Sequence, residues 1–150
     1  MQRPFLSLKQ ALSNREFCIQ IIKSSYYVLC FDIIDLGPLN KNYGREAGDK
    51  AILECLRRID THSDENCILF RIGGDEFALV SDLEDFQEVE GLAKNIIGLN
   101  DHPIVHNNSE IPVSMRVGST KIAGSNVRYK DLFSYLNQAI FRELYYRIST

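Results

Sequence analysis

Tryptophan is absent from these 150 residues, proline and cysteine occur four times each, and no two cysteines have C-x-x-C spacing. The missing pairs exclude a zinc ribbon or finger. Cys18, Cys30, Cys55 and Cys67 stand singly, each beside Ile, Leu or Phe. Such residues are expected to be buried, reduced thiols of a cytoplasmic protein. Basic runs are missing as well. Never more than two Lys or Arg are adjacent, and 17 of them face 20 Asp+Glu, for a net charge of −3. Electrostatic nucleic-acid binding draws on clustered cations, so no nucleic acid is expected as a partner. No uncharged apolar run approaches the ~18 residues of a membrane span, and no direct membrane insertion is expected. The N-terminus, Met1-Gln-Arg-Pro-Phe-Leu-Ser-Leu-Lys9, has no long apolar core of the kind a secretory signal carries. His62, His102 and His106 lie in polar, turn-like segments without metal-ligand spacing and read as surface residues.

What is present is ordinary for a globular chain: 45% hydrophobic and 25% charged residues, in a length that suits one domain over 1–150. Helical periodicity is expected from about Asn14 to Lys23, Ala47 to Ile59, Glu84 to Leu99 and Lys130 to Arg147. Tyr26 to Ile34 is a nearly continuous apolar run rich in aromatic and β-branched residues, the pattern of a central strand buried on both faces. Asp35 to Gly44 reads as a loop punctuated by Gly37-Pro38, and Asn100 to Glu110 as a polar loop before a strand over about Pro112 to Lys121. Helices and strands in this alternation indicate an α/β (α+β) sandwich, a sheet with helices packed on it.

Two features carry chemistry. Cys67 to Ile72 and Phe77 to Val80 are apolar runs either side of Gly73-Gly74-Asp75-Glu76, a β-hairpin whose paired glycines permit a tight, positive-φ turn. Asp75 and Glu76 stand side by side at its rim, either as an ordinary acidic tip or as ligands for a hard cation. Asp32 lies near the end of the apolar strand, where a charge is costly unless paired or bound to metal. Asp32 and Asp75 can converge if their strands are neighbours, and two carboxylates suffice to hold one or two Mg²⁺ ions against phosphate oxygens. Asn40 and Asp49 add complementary hydrogen-bonding groups. A carboxylate accepts from the paired N–H edge of guanine, which adenine lacks, and an amide both donates and accepts.

With these residues in view the chain resembles the GGDEF family, the diguanylate cyclases. Gly73-Gly74-Asp75-Glu76-Phe77 is the family signature letter for letter. Asp32, Asn40, Gly44, Gly48 and Asp49 reproduce the spacing of the family's D…N…G…GD stretch. Leu12-Ser-Asn-Arg-Glu-Phe17 looks like its L-P-N-R-x-F element, and Met115-Arg-Val-Gly118 falls where the family has its S-I-G strand. The likeness covers about residues 7–147. It implies a nucleotidyl-cyclase-like fold with a central, mostly antiparallel sheet flanked by helices. The implied reaction joins two GTP molecules into the bacterial second messenger cyclic di-GMP, with loss of two pyrophosphates, across a homodimer. By this likeness Asp32, Asp75 and the carbonyl of Ile33 would ligate Mg²⁺ (or Mn²⁺), and Asp75 and Glu76 would be catalytic. Asn40 and Asp49 would read guanine, and the amides of Leu36 and Gly37, with Gly73 and Gly74, would line the GTP site. Family members of this size commonly serve as output modules for an upstream sensory domain.

The chain departs from the family pattern at several points. The second aspartate of its D-x-D pair is Ile34, and the aromatic-lysine pair after it is Leu36-Gly37, followed by Pro38. Arg45 stands for the histidine after the first glycine, and Leu144 for a phosphate-binding lysine. The product-inhibition R-x-x-D is replaced by Asp64-Glu-Asn-Cys67. These changes raise a second reading, a domain that binds GTP or a partner domain and regulates without turnover.

Overall fold

The computed structural model describes residues 6–7, 25–64, 67–71, 73–81 and 83–123. The helices expected over 14–23 and 130–147 lie outside the described residues, and with them Cys18, Leu144 and Arg147.

The apolar run forms the central strand β2, Ser25–Ile33. Strands β1 (Leu6–Ser7), β3 (Ile68–Arg71), β4 (Glu76–Val80) and β7 (Met115–Ala123) complete a five-stranded sheet of order β1-β3-β4-β2-β7. The β1–β3 pair is parallel and the other three are antiparallel. Side chains alternate across each strand. On one face Leu29, Phe31 and Ile33 join Phe77, Leu79, Met115 and Val117 in the main core. Val28, Cys30, Ala78 and Val80 are also buried, so β2 is covered on both faces, as its composition indicates.

Helix α1, Leu36–Tyr43, occupies the segment expected to be a loop. Gly37-Pro38 reads as a break, yet Pro38 falls in the first helical turn. There its missing N–H is not needed and its fixed φ suits a helix. Asp35, at φ 57°, turns the chain from β2 into this helix, and Leu36 and Leu39 bury its inner face. Gly44, at φ +94°, breaks α1 from α2, Arg45–His62, a conformation that a side chain would strain. Helix α2 extends the expected 47–59 at both ends and buries Ala47, Ala51, Cys55, Leu56 and Ile59. Helix α3, Phe86–Ile97, is capped by Asp85, which accepts from the Gln87 amide at 3.0 Å. None of the described helices is long and apolar enough to cross a membrane.

The polar loop expected over 100–110 contains a two-stranded hairpin, β5 (Pro103–His106) and β6 (Ser109–Pro112). Asn107 and Asn108 at φ 49° and 64° make its turn, which pairs well with strand twist because asparagine tolerates the left-handed region. Strands this short leave little periodicity to read. Ile111 and Val113 enter the core, and His106 is buried with them. The expectation of three surface histidines therefore holds for His62 and His102 and fails for His106. Cys30, Cys55 and Cys67 are buried thiols, as expected.

A fully buried charge had no signal in the hydrophobic pattern. Arg58 lies on the core side of α2 and donates to the carbonyls of Val113 at 2.7 Å and His102 at 3.0 Å. Glu54, one turn earlier, accepts from its Nε at 2.7 Å. This arginine ties α2 to the two residues that flank the open end of the β5–β6 hairpin, exchanging its hydration for three charge-assisted hydrogen bonds.

Candidate active site

Sheet register assembles the acidic residues. Asp32 on β2 lies directly opposite Glu76 on β4, so their side chains leave the same face of the sheet. This is the opposite face from Phe31, Ile33 and Phe77, and a shift of one residue would exchange the two sets. Asp75 precedes Glu76 at the hairpin tip, and its carbonyl accepts from the Ile33 amide at 2.9 Å. That bond ties the tip to the end of β2. One carboxylate oxygen from each of Asp32, Asp75 and Glu76 falls within 4.8 Å of the others, and all three groups are partly exposed. The Glu76 carboxyl is held above the usual carboxylate range, by burial first and then by the charges of Asp75 and Asp32. Three hard oxygens at this spacing match the chemistry of Mg²⁺ or Mn²⁺.

The tip differs from the tight two-residue turn that its glycines suggest. Strand β3 ends at Arg71 and β4 begins at Glu76, so the connection spans 72–75. Arg71 closes it from within, donating from Nε to the Gly73 carbonyl at 2.9 Å and from the guanidinium to the Gly74 carbonyl at 2.6 Å. Gly74 is exposed and does not take the left-handed conformation, and a Cβ there would meet nothing within 4 Å. Its lack of a side chain thus leaves bare backbone at the surface beside the acids, rather than relieving strain.

Leu36 and Gly37 follow β2 by only a few residues and form the start of α1. Amides in a first helical turn have no helical carbonyl to donate to, and their dipoles favour an anion. The side chain of Asn40, further along α1, lies over Gly48 of α2: a Cβ at Gly48 would fall 1.6 Å from Asn40 Oδ1. A side chain at position 48 would therefore displace that of Asn40. Asp49, the next residue, is exposed, as is Asn40. The structure thus forms two groups: the acidic trio at the sheet end, and Asn40 beside the Gly48-Asp49 turn of α2.

One member of the site escaped the sequence reading. Arg116 on β7 is the other cross-strand neighbour of Asp32, and its guanidinium donates to Asp32 Oδ2 at 3.0 Å. The signal was available in the alternation of β7, where Met115 and Val117 face the core and residue 116 must face the acids. It required knowing the register. A cavity of about 850 Å³ between α2 and β5 is lined by none of these residues, so acidic chemistry rather than that concavity marks the site.

Comparison with known proteins places the fold in a family. Residues 6–144 match the family described as diguanylate cyclase, GGDEF domain. A bifunctional diguanylate cyclase/cyclic di-GMP phosphodiesterase of Pseudomonas aeruginosa, MucR, is 23% identical over 116 residues. That alignment covers 77% of this chain and 17% of MucR, so the chain spans about a sixth of the length of that relative. The structure of an N-terminally truncated YfiN (TpbB) from the same organism, comprising only its GGDEF domain, superposes with a TM-score of 0.69 at 25% identity, covering 95% of this chain and 82% of that one. The FimX GGDEF domain, also from Pseudomonas aeruginosa, gives 0.74 at 11% identity, over 95% and 92% of the two chains. The α+β fold with its mostly antiparallel sheet is that of these proteins, and the chain belongs to the GGDEF diguanylate cyclase family.

Proposed function

We propose that the chain condenses two GTP molecules into cyclic di-GMP with release of two pyrophosphates, each of two facing domains contributing one GTP. The 3′-hydroxyl of one nucleotide attacks the α-phosphate of the other. The observation that carries this reading is the meeting of Asp32, Asp75 and Glu76 carboxylate oxygens within 4.8 Å at one end of the sheet. Asp32, Asp75 and the Ile33 carbonyl would hold Mg²⁺ or Mn²⁺, which supplies charge neutralisation at the phosphates. Glu76, whose carboxylate lies beside both of these aspartates, would take the proton that the 3′-hydroxyl loses. Leu36 and Gly37 offer backbone N–H groups to phosphate oxygens, and the bare backbone of Gly73 and Gly74 admits the nucleotide closely. Asn40 and Asp49 read guanine. Phosphoryl chemistry of this kind needs positioning and electrostatics more than a protein nucleophile. In the cell the domain works in the cytoplasm as the output of an upstream sensory domain.

A second reading, GTP or partner binding without turnover, is favoured by the Arg116–Asp32 ion pair at 3.0 Å and by the departures at Ile34, Gly37 and Leu144. Incubation of the chain with GTP and Mg²⁺, followed by mass spectrometry for cyclic di-GMP, separates the two. Product is expected, at a rate that rises more than linearly with protein concentration. A folded, demonstrably dimeric protein that makes none supports the regulator instead.

A further inference from the structure

Asp32 has an acid on one side and a base on the other. Glu76 is its cross-strand partner on β4 and Arg116 its partner on β7. The Arg116 guanidinium sits 3.0 Å from Asp32 Oδ2, with side chains 40% and 23% exposed respectively. Three carboxylates sharing one small volume repel one another, and a cation anchored among them offsets part of that repulsion. A divalent ion on Asp32 would meet the guanidinium as a like charge across one carboxylate group. Arg116 is exposed enough to swing its head into water while its backbone stays in the sheet.

We propose that Arg116 is the resident counter-cation of the acidic trio, and that a divalent ion loads only as the guanidinium leaves Asp32. The inference rests on the reading of the trio as a metal site, and it adds a residue that sets the site's ion affinity. An arginine suits this role because its charge is permanent and its fork engages a carboxylate strongly without forming a coordinate bond. The chain thereby has a site that is charge-balanced when metal is scarce and opens to metal by exchanging one cation for another.

Mn²⁺ binding to the whole chain without nucleotide, followed by water-proton relaxation, tests this. Arg116→Ser is expected to bind Mn²⁺ about tenfold more tightly than wild type, the size of one partly exposed charge-assisted contact. Arg116→Lys, which keeps the charge, should stay near wild type, and Asp75→Ala should weaken binding in both backgrounds. Equal or weaker Mn²⁺ affinity in a folded Arg116→Ser protein overturns the proposal. In unsubstituted protein, the Arg116 Nε–H resonance should shift as Mg²⁺ is added, and a resonance indifferent to Mg²⁺ overturns it independently of any variant. Tighter Mn²⁺ binding by Arg116→Ser with no cyclic di-GMP from either protein sustains the inference and removes the cyclase reading. Cyclic di-GMP formation with unchanged Mn²⁺ affinity does the reverse.

Discussion

Arg58 shows how one residue can join parts of a fold that the hydrophobic pattern leaves unconnected. Its guanidinium is buried completely, and it supplies the Val113 and His102 carbonyls with donors 2.7 and 3.0 Å away. Arg58→Met should lower stability by about 2–4 kcal/mol, because two carbonyls lose charged donors while methionine recovers only part of the packing. Urea denaturation measures it, and a loss below about 1 kcal/mol would mean that water replaces the guanidinium at no great cost. Glu54 gives the same cluster a pH dependence. Its carboxyl is held below the usual carboxylate range, first by the hydrogen bond from Arg57 and then by that from Arg58, against opposing desolvation. A depressed folded-state pKa means stability that is present above the unfolded value and lost as pH falls through the folded one. The melting temperature of wild type should therefore exceed that of Glu54→Gln above about pH 4.5 and converge on it at lower pH. A gap that is unchanged down to acid unfolding would remove Glu54 as the cause.

At the scale of elements, the legible features were those with long, uniform patterns. The continuous apolar run gave β2, and the i, i+3, i+4 spacing of Ala51, Cys55, Leu56 and Ile59 gave α2. Helix α1 was hidden because Gly37 and Pro38 signal a break as well as a helix start, and only the context after Asp35 decides between them. The β5–β6 hairpin was hidden because four-residue strands carry almost no period. Asp32, Asp75 and Glu76 were found from types and spacing, whereas Arg116 depends on strand register, which one sequence does not contain. The contact between α1 and α2 also yields a prediction. Gly48→Ala would push a Cβ into the Asn40 side chain, 1.6 Å from Oδ1 before relaxation. Asn40 is exposed and can give way, and alanine is the better helix former by about 1 kcal/mol, so the melting temperature should change little. GTP affinity should nevertheless fall roughly tenfold, as for Asn40→Ala, the worth of one well-made hydrogen bond. Calorimetric titration with GTP checks this. Affinity preserved in Gly48→Ala but lost in Asn40→Ala would show that Asn40 reads guanine from a position other than over Gly48.

For the whole molecule, the sheet is buried on both faces along its middle and divides the labour between its faces only at its end. One faces the core through Leu29, Phe31 and Ile33, and the other carries Asp32, Glu76 and Arg116 at the end of the same strands. Stability and site chemistry are thus carried by alternate residues of one ladder, so changes at the acids should leave the core intact. Two facing copies are needed to bring both nucleotides together under the proposed mechanism. Dilution should then slow the reaction per molecule, and fusing the chain to a dimeric coiled coil should remove that dependence. A rate per molecule that stays constant on dilution of a monomeric protein would exclude the two-domain reaction centre.

The most direct measurement compares cyclic di-GMP formed from GTP and Mg²⁺ by the wild-type chain and by Asp75→Ala, with thermal melting of both. The wild type should make the product, and the variant should make none while its stability changes by no more than about 0.5 kcal/mol, as for other rim substitutions. An equally folded Asp75→Ala protein that makes product at the wild-type rate would contradict the account, because the acids at the hairpin tip would then have no part in the chemistry.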